Sequence, residues 1–254
     1  MRIQESGHSV PDTGFDSGRH ARAKIGFVVL ATEQTVEDDM FTLRPEGVGI
    51  HFARAPIPDS ITVETLARQV DDLAPAAATL LPDGSLDVVC YACTSGSLVI
   101  GEERVHDELR KGAPGAQATS LTASVLAALR AVGARRIAVA TPYLDAINHQ
   151  EAAYMNAAGF EITAIRGLNV EKDSDMIRLR PDYLAEFAAS VDSADADAVF
   201  ISCGALRSLD IVDTLEQKLG KPVICSNQAM MWHCLRLAGI PDRLDGYGSL
   251  FRDA

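Results

Sequence analysis

No stretch of about 18 consecutive apolar residues, the length a membrane-spanning helix needs, occurs in the 254 positions, and the first residues lack the apolar core of a signal peptide. Neither a membrane nor a secreted protein is expected, and a cytoplasmic location is. Basic charge is scarce: 23 Lys and Arg stand against 35 Asp and Glu, a net charge of −12. No Lys/Arg cluster offers a footprint for phosphates, which excludes a nucleic-acid partner. A small anionic ligand stays compatible with this charge, because local backbone N–H groups override the global field. Paired C-x-x-C zinc motifs are absent. Cys90-Tyr-Ala-Cys93 is a lone C-x-x-C, and in an extended strand side chains three apart point to opposite faces. Five cysteines, an odd number spread over a long chain, fit free thiols better than a disulfide framework.

What is present is ordinary for a soluble globular protein with a real core: 47% hydrophobic and 23% charged residues. Residues 1–22 are polar and rich in Gly, Ser and Asp, and are expected to form a loose arm. Strand and helix signals then alternate. "KIGFVVLAT" (24–32) and "GVGIHFARA" (47–55) are strands flanking a short acidic helix in "TVEDDMFTLRP". A helix over 62–81 leads to strand "LDVVCYAC", helix "EERVHDELRK", a short strand at 116–120 and helix "LTASVLAALRAVG", closed by Gly133. The pattern then begins again. "RRIAVATPY" (135–143), "FEITAIRGL" (160–168), "DAVFISC" (197–203) and "KPVICSN" (221–227) match the four earlier strands at offsets of roughly 110 residues. The fold class is therefore α/β. It comprises two pseudo-symmetric lobes, each a small parallel sheet flanked by helices, over 23–133 and 134–254, with the C-terminal segment a candidate to complete the first lobe.

The repeat gives two cysteines a common meaning. Cys93 ends the third strand of one lobe and Cys203 the third strand of the other, each before a Gly/Ser/Thr turn. Ligands of open parallel sheets collect beyond the carboxyl ends of the strands, so facing lobes would bring both thiols to one cleft. Two opposed thiols form an acid–base pair across a substrate carbon, or a nucleophile with its proton donor. Cys90, Cys225 and Cys234 lack this symmetry and read as packing residues. His106 and His233 sit in helical patterns and read as surface or core.

"CTSGS" and "SCGALRSLD", with "TPY" at 141–143, resemble the aspartate/glutamate racemase superfamily, and within it the maleate cis-trans isomerase and arylmalonate decarboxylase group, over about Lys24 to Phe251. The resemblance implies catalytic Cys93 and Cys203, no metal, no organic cofactor, and a homodimer or higher homo-oligomer acting on a small carboxylate. It makes Cys93 the nucleophile that adds to a double bond, Cys203 the proton donor and acceptor, and Tyr143 a donor to a substrate carboxylate. Thr94, Ser95 and Gly204 are expected to bind beside them, Thr94 and Ser95 as donors to a developing oxyanion. Decarboxylases of the group usually carry glycine at the first cysteine position. Cysteine at both favours isomerase or racemase chemistry.

Departures from the group matter as much. Maleate isomerases carry Ser-Ser-Asn-x-Thr-Val-Glu after the first strand, whereas here "ATEQTVED" puts Glu33 at the carboxylate-binding asparagine, with Gln34 beside it. The second such asparagine aligns with Asp173 of "GLNVEKDSDM", or with Asn169 after a small shift. An amide donates to a carboxylate, whereas an ionised acid only accepts. Unless these acids are solvated in their loops, one end of the ligand is expected to be an ammonium, amide or hydroxyl. Arg207 either holds the remaining carboxylate or lies on an exposed helix face. "VLATEQTVEDDM", "CYACTSGS", "SCGALRSLDI" and "SNQAMMWHCLRLAGI" together look most like the branch linked to ectoine utilisation. Racemisation and cis–trans isomerisation need the same two thiols. True maleate isomerisation, an arylmalonate-type decarboxylation, a ligand-binding sensor on the same fold, and a redox protein using Cys90 and Cys93 are the competing expectations.

Overall fold

Parallel strands buried on both faces need continuous apolar runs, and the chain supplies them twice. The computed structural model describes residues 14–254. In the first half β1 (Ala23–Leu30), α1 (Val36–Thr42), β2 (Val48–Ala55), α2 (Val63–Arg68), α3 (Val70–Ala77), β3 (Val88–Tyr91), α4 (Thr94–Ile100), α5 (Glu102–Gly112), β4 (Gln117–Ser120) and α6 (Leu121–Ala131) follow one another. The second half runs through β5 (Arg136–Thr141), α7 (Asp145–Ala157), β6 (Glu161–Gly167), α8 (Asp173–Met176), α9 (Pro181–Val191), β7 (Ala198–Ile201), α10 (Val212–Leu219), β8 (Val223–Cys225), α11 (Ser226–Leu237) and α12 (Gly248–Asp253). The two four-stranded sheets have the same order, β2-β1-β3-β4 and β6-β5-β7-β8, and every pairing is parallel. The α/β class with two parallel sheets stands as expected.

Two local expectations need correction. The helix expected over 62–81 is two helices: the chain tightens into i→i−3 turns around Gln69, whose side-chain amide is tied to the Pro56 carbonyl. The Thr-Ser-Gly-Ser stretch after Cys93 is not a turn but the first turn of α4, with Cys93 as its N-cap. Pseudo-symmetry therefore breaks after the third strands, because Gly204–Ser208 remains irregular before a short 3₁₀ turn over Leu209–Ile211.

The lobes share one continuous apolar core. Helix α11 packs across α6, β3 and β4, and α4 packs on α7. Of the arm expected over 1–22, residues 1–13 lie outside the described residues. Further along it, His20 packs edge-on against His51 and Arg22 pairs with Asp242.

Candidate active site

Four strand ends build the cavity. Equivalent backbone bonds, Ala92 N–H to the Val28 carbonyl at 2.9 Å and Ser202 N–H to the Ala140 carbonyl at 2.8 Å, carry each third strand one residue past the sheet before its cysteine. Cys93 and Cys203 line the same cavity, with Glu33, Thr94, Ser95, Tyr143, Asp173 and Gly204 around them. Leu30, Ile61, Ala92, Met176 and Ala205 supply the apolar wall. The cavity is roofed by two loops from different lobes. Residues 59–61 and 171–174 join through an antiparallel bridge, Ser60 to Lys172, and through Asp59, which accepts from the Ser174 amide at 2.9 Å and hydroxyl at 2.7 Å.

The cysteines differ in how they are held. Cys93 Sγ accepts from the Gly96 amide at 3.2 Å and stands 3.6 Å from Ser95 Oγ. Burial nevertheless pushes its thiol up to about 11, with a further rise from Asp173 offset by Ser95, Gly96 and Tyr91. Cys203 has φ +102°, a conformation that costs a residue with a Cβ of order 1–3 kcal/mol. Its amide donates to Ser226 Oγ at 3.0 Å, and its Sγ lies 4.0 Å from Met176 Sδ. Burial holds this thiol well above the ordinary range, and Asp173 and Glu33 raise it further, against lowering contacts from the Ala205 amide and Tyr143. Both sulfurs therefore rest as thiols near neutral pH.

Glu33 is neither solvated nor wholly given to the cavity. Its Oε1 accepts from three amides, Gln34 at 2.9 Å, Thr35 at 2.6 Å and Val36 at 3.0 Å, and so caps the start of α1. Burial still raises its carboxyl, and Asp173 adds to the rise. Asp173 Oδ2 accepts from Thr32 Oγ1 at 2.6 Å, and burial and Asp59 raise its carboxyl despite that contact. Two acids thus share the cavity with two thiols, and no Lys, Arg or His among the described residues lines it.

Three expected binding residues lie elsewhere. Gln34 is exposed because Glu33 turns inward to cap α1. Asn169 is exposed at φ +56°, on the turn that precedes Asp173, so Asp173 is the member of that pair which reaches the cavity. Arg207 is on neither a carboxylate nor an exposed helix: its guanidinium donates to the Leu179 carbonyl at 3.0 Å from an irregular segment. Cys90, Cys225 and Cys234 are buried away from the cavity, and His233 bonds Ser124 at 3.1 Å on the α6–α11 interface.

Sequence reasoning missed Ser226 and Tyr91. Ser226 Oγ touches Thr94 Oγ1 at 3.1 Å as well as the Cys203 amide, tying the two cysteine loops together. Its counterpart in the first lobe is Leu121, because Ser120 pairs with Tyr91 as Cys225 pairs with Ile201 and each caps the helix that follows, so the repeat held no signal for it. Tyr91 is fully buried under α4 with its hydroxyl unpartnered and close enough to Cys93 to ease its ionisation. An inward position on an apolar strand gives no hint of that.

Comparison with known proteins agrees with this geometry. Residues 25–251 match the family model described as Amdase, arylmalonate decarboxylase. The chain is 28% identical to a maleate isomerase of Nocardia farcinica over 245 residues, covering 90% of this chain and 95% of that one. It is 35% identical to an arylmalonate decarboxylase of Bordetella bronchiseptica over 145 residues, 56% of this chain and 60% of the relative. Its fold is similar, with a TM-score of 0.84 at 27% identity, to a mutant Nocardia farcinica maleate cis-trans isomerase holding a covalently bound succinylcysteine intermediate, across 91% of this chain and 99% of that one.

Proposed function

The chain belongs to the arylmalonate decarboxylase family, and from that premise we propose that it is a cofactor-independent isomerase whose Cys93 and Cys203 act from opposite lobes on one small carboxylate bearing a nitrogen function. The observation that carries the proposal is the content of the cavity: two thiols from equivalent strand ends, two carboxyls, and no basic side chain among its lining residues. A dicarboxylate such as maleate would meet Asp173 and Glu33 in a poorly solvated space, where like charges repel strongly. An ammonium, amidine or amide meets acceptors instead. A cationic nitrogen beside Asp173 would also offset the part of the rise that Asp173 adds to both thiols, so that thiolate forms more readily with substrate in place. Ectoine-derived acids, which carry one carboxylate beside nitrogen functions, suit this arrangement, and the resemblance to the ectoine-utilisation branch supports them.

The chemistry needs no electron acceptor. In racemisation one thiolate removes the α-proton from one face, and the opposite thiol returns a proton to the other face. The intervening negative charge spreads onto the carboxylate oxygens, for which Thr94, Ser95 and Tyr143 are the candidate donors. In cis–trans isomerisation the Cys93 thiolate forms a C–S bond to one alkene carbon while the Cys203 thiol protonates the neighbouring carbon. Rotation about the new single bond, loss of that proton to Cys203 and cleavage of the C–S bond complete the cycle. Maleate isomerisation is the second possibility, favoured by the maleate isomerases among the relatives.

The test is a panel of maleate, aspartate, glutamate, hydantoins and ectoine-derived acids, incubated in deuterated water with wild type, Cys93→Ala and Cys203→Ala. The expected result is turnover of a nitrogen-bearing acid and a loss of about 10²-fold or more in each variant. Deuterium in recovered substrate identifies proton exchange, whereas a mass adduct on Cys93 identifies addition. Asp173→Asn should shift preference toward maleate by roughly tenfold, the effect of removing one buried like charge. Wild type preferring maleate to every nitrogen-bearing acid would overturn the substrate class. Full activity in both cysteine variants would overturn the enzyme.

A further inference from the structure

Behind Cys203 lies a carboxyl that the chemistry above does not use. Glu151, on the second turn of α7, is completely buried, and its Oε1 stands 2.6 Å from Ser202 Oγ, one residue before Cys203. Its Oε2 has no hydrogen-bond partner among the described residues. Ser202 also lowers the Tyr143 phenol and Tyr143 in turn lowers the Cys203 thiol, which makes the three neighbours, and Tyr143 lines the cavity. One carboxyl and two hydroxyls, the first two of these groups hydrogen-bonded, are therefore gathered between the interior of α7 and the second thiol. We propose that Glu151 is a positioning residue for Cys203: acting through Ser202, its carboxyl decides whether the Tyr143 hydroxyl directs its proton into the cavity or away from it. This rests on the assignment of Cys203 to the reaction.

The physical reason is that a hydroxyl has one proton to give. When Glu151 is protonated, its O–H donates to Ser202 Oγ, Ser202 donates to Tyr143, and Tyr143 is free to donate to the Cys203 sulfur or to a ligand oxygen. When Glu151 is ionised it only accepts. Ser202 must then donate to it, Tyr143 donates to Ser202, and the cavity loses a donor while a buried negative charge appears behind the thiol. Both effects disfavour the Cys203 thiolate. Burial lifts the Glu151 carboxyl to about 7, lowered somewhat by Ser202, so both states are accessible near neutrality.

The surroundings leave the control to this chain. Helix α4, packed on α7, contains no ionisable group, and the charged residues of β6, Glu161 and Arg166, are exposed. Glu102 of α5 meets α7 at Tyr154. Asp173 and Glu33 act on Cys203 from the cavity side. None of these acts detectably on Glu151 itself, whose shift comes from burial and Ser202 alone.

The test follows the alkylation of Cys203 by iodoacetamide against pH in the full-length protein, read by peptide mass spectrometry, for wild type, Glu151→Gln and Ser202→Ala. A thiol with a high pKa alkylates about tenfold faster per pH unit. Wild type is expected to fall below that line between about pH 6 and 8 as Glu151 ionises, ending roughly three- to tenfold lower. Glu151→Gln, which keeps the shape and hydrogen-bonding capacity but cannot ionise, should follow a straight line. Ser202→Ala, which cuts the chain but leaves the acid, should reduce the bend to the part that the buried charge exerts directly and move it to higher pH, because Ser202 lowers the Glu151 carboxyl. Should iodoacetamide fail to enter, a smaller thiol reagent such as methyl methanethiosulfonate, read by the same peptide mass spectrometry, traces the same curve. A straight wild-type line, a bend that survives Glu151→Gln, or an undiminished and unshifted bend in Ser202→Ala overturns the proposal. No substrate enters the measurement, so a failed substrate panel and a failed relay remain separate results.

Discussion

At the scale of single residues, the two candidate cysteines look alike in sequence and are not alike in structure. Cys93 is extended backbone whose sulfur serves as the cap of α4, so its side chain has a local hydrogen-bonding duty before any ligand arrives. Cys203 sits at φ +102°, held there by the bond from its amide to Ser226. Strain of this kind is confined to residues with a Cβ. Cys203→Gly is therefore expected to be more stable than Cys203→Ala by about 1 kcal/mol. Both variants lose the same thiol, so chemical denaturation of the pair reads the backbone cost alone. Equal midpoints would show that the backbone relaxes at no cost. Strand endings were legible from the alternation of apolar runs and small residues, and so were the two thiols. Positive φ at a cysteine was not, because nothing in "ISCGA" distinguishes strained backbone at residue 203 from a turn at the adjoining glycine.

At the scale of elements, α4 fixes the first half of the site. It begins at Thr94 because Cys93 Sγ and the Cys93 carbonyl take up first-turn amides, and because Ser97 Oγ donates back to that carbonyl at 2.7 Å. The third residue of the helix must be glycine: a Cβ on Gly96 would overlap the buried Tyr91 hydroxyl. Gly96→Ala is accordingly expected to destabilise the fold by about 1–3 kcal/mol through overpacking and to displace the Cys93 cap. Tyr91→Phe removes the obstructing atom, so the double variant should recover much of that loss, a coupling that a double-mutant cycle of unfolding free energies measures. Strict additivity would mean that the two residues do not meet. The sequence pattern had suggested a polar turn over 94–97, since Thr, Ser and Gly favour turns when taken one by one. Local propensity lost here to a cap and to packing on α7, neither of which a one-dimensional window contains.

For the whole molecule, burial lifts one set of carboxyls while hydrogen bonds hold others, Asp59, Asp197 and Glu102 among them, below their ordinary values. Burial lifts Asp39 and Glu151 to about 7 from ordinary values of 3.8 and 4.5, and raises Glu33 and Asp173 as well. A carboxyl whose folded pKa exceeds its unfolded one binds more protons in the native state. Its contribution is full below the unfolded value and is lost as pH climbs to the folded one. These carboxyls should therefore make stability fall from about pH 4.5 to pH 7, by an amount of order 1–3 kcal/mol for each of the two most shifted, while His51 and His233, lowered by burial, act the other way below about pH 6.5. Thermal melts across that window should show Tm decreasing with pH. Asp39→Asn, which preserves an acceptor for the Asn227 amide now at 2.7 Å, should flatten the slope. A Tm that rises steadily from pH 5 to 7 would contradict the assignment.

The sequence by itself determined the repeat, the parallel sheets, and the placing of a thiol at the end of each third strand, because these follow from short-range periodicity and from chain order. It also placed acids where relatives were expected to hold amides. Only the tertiary structure decided which acid of the pair 169/173 reaches the cavity, that half of Glu33 is spent on α1, that Arg207 serves a backbone carbonyl, and that Ser226 and Glu151 stand behind the cysteines. Apart from the local capping by Glu33, those outcomes depend on which groups 23 to 141 residues apart in the chain come within about 3 Å of one another, a distance set by tertiary packing and not by any local pattern.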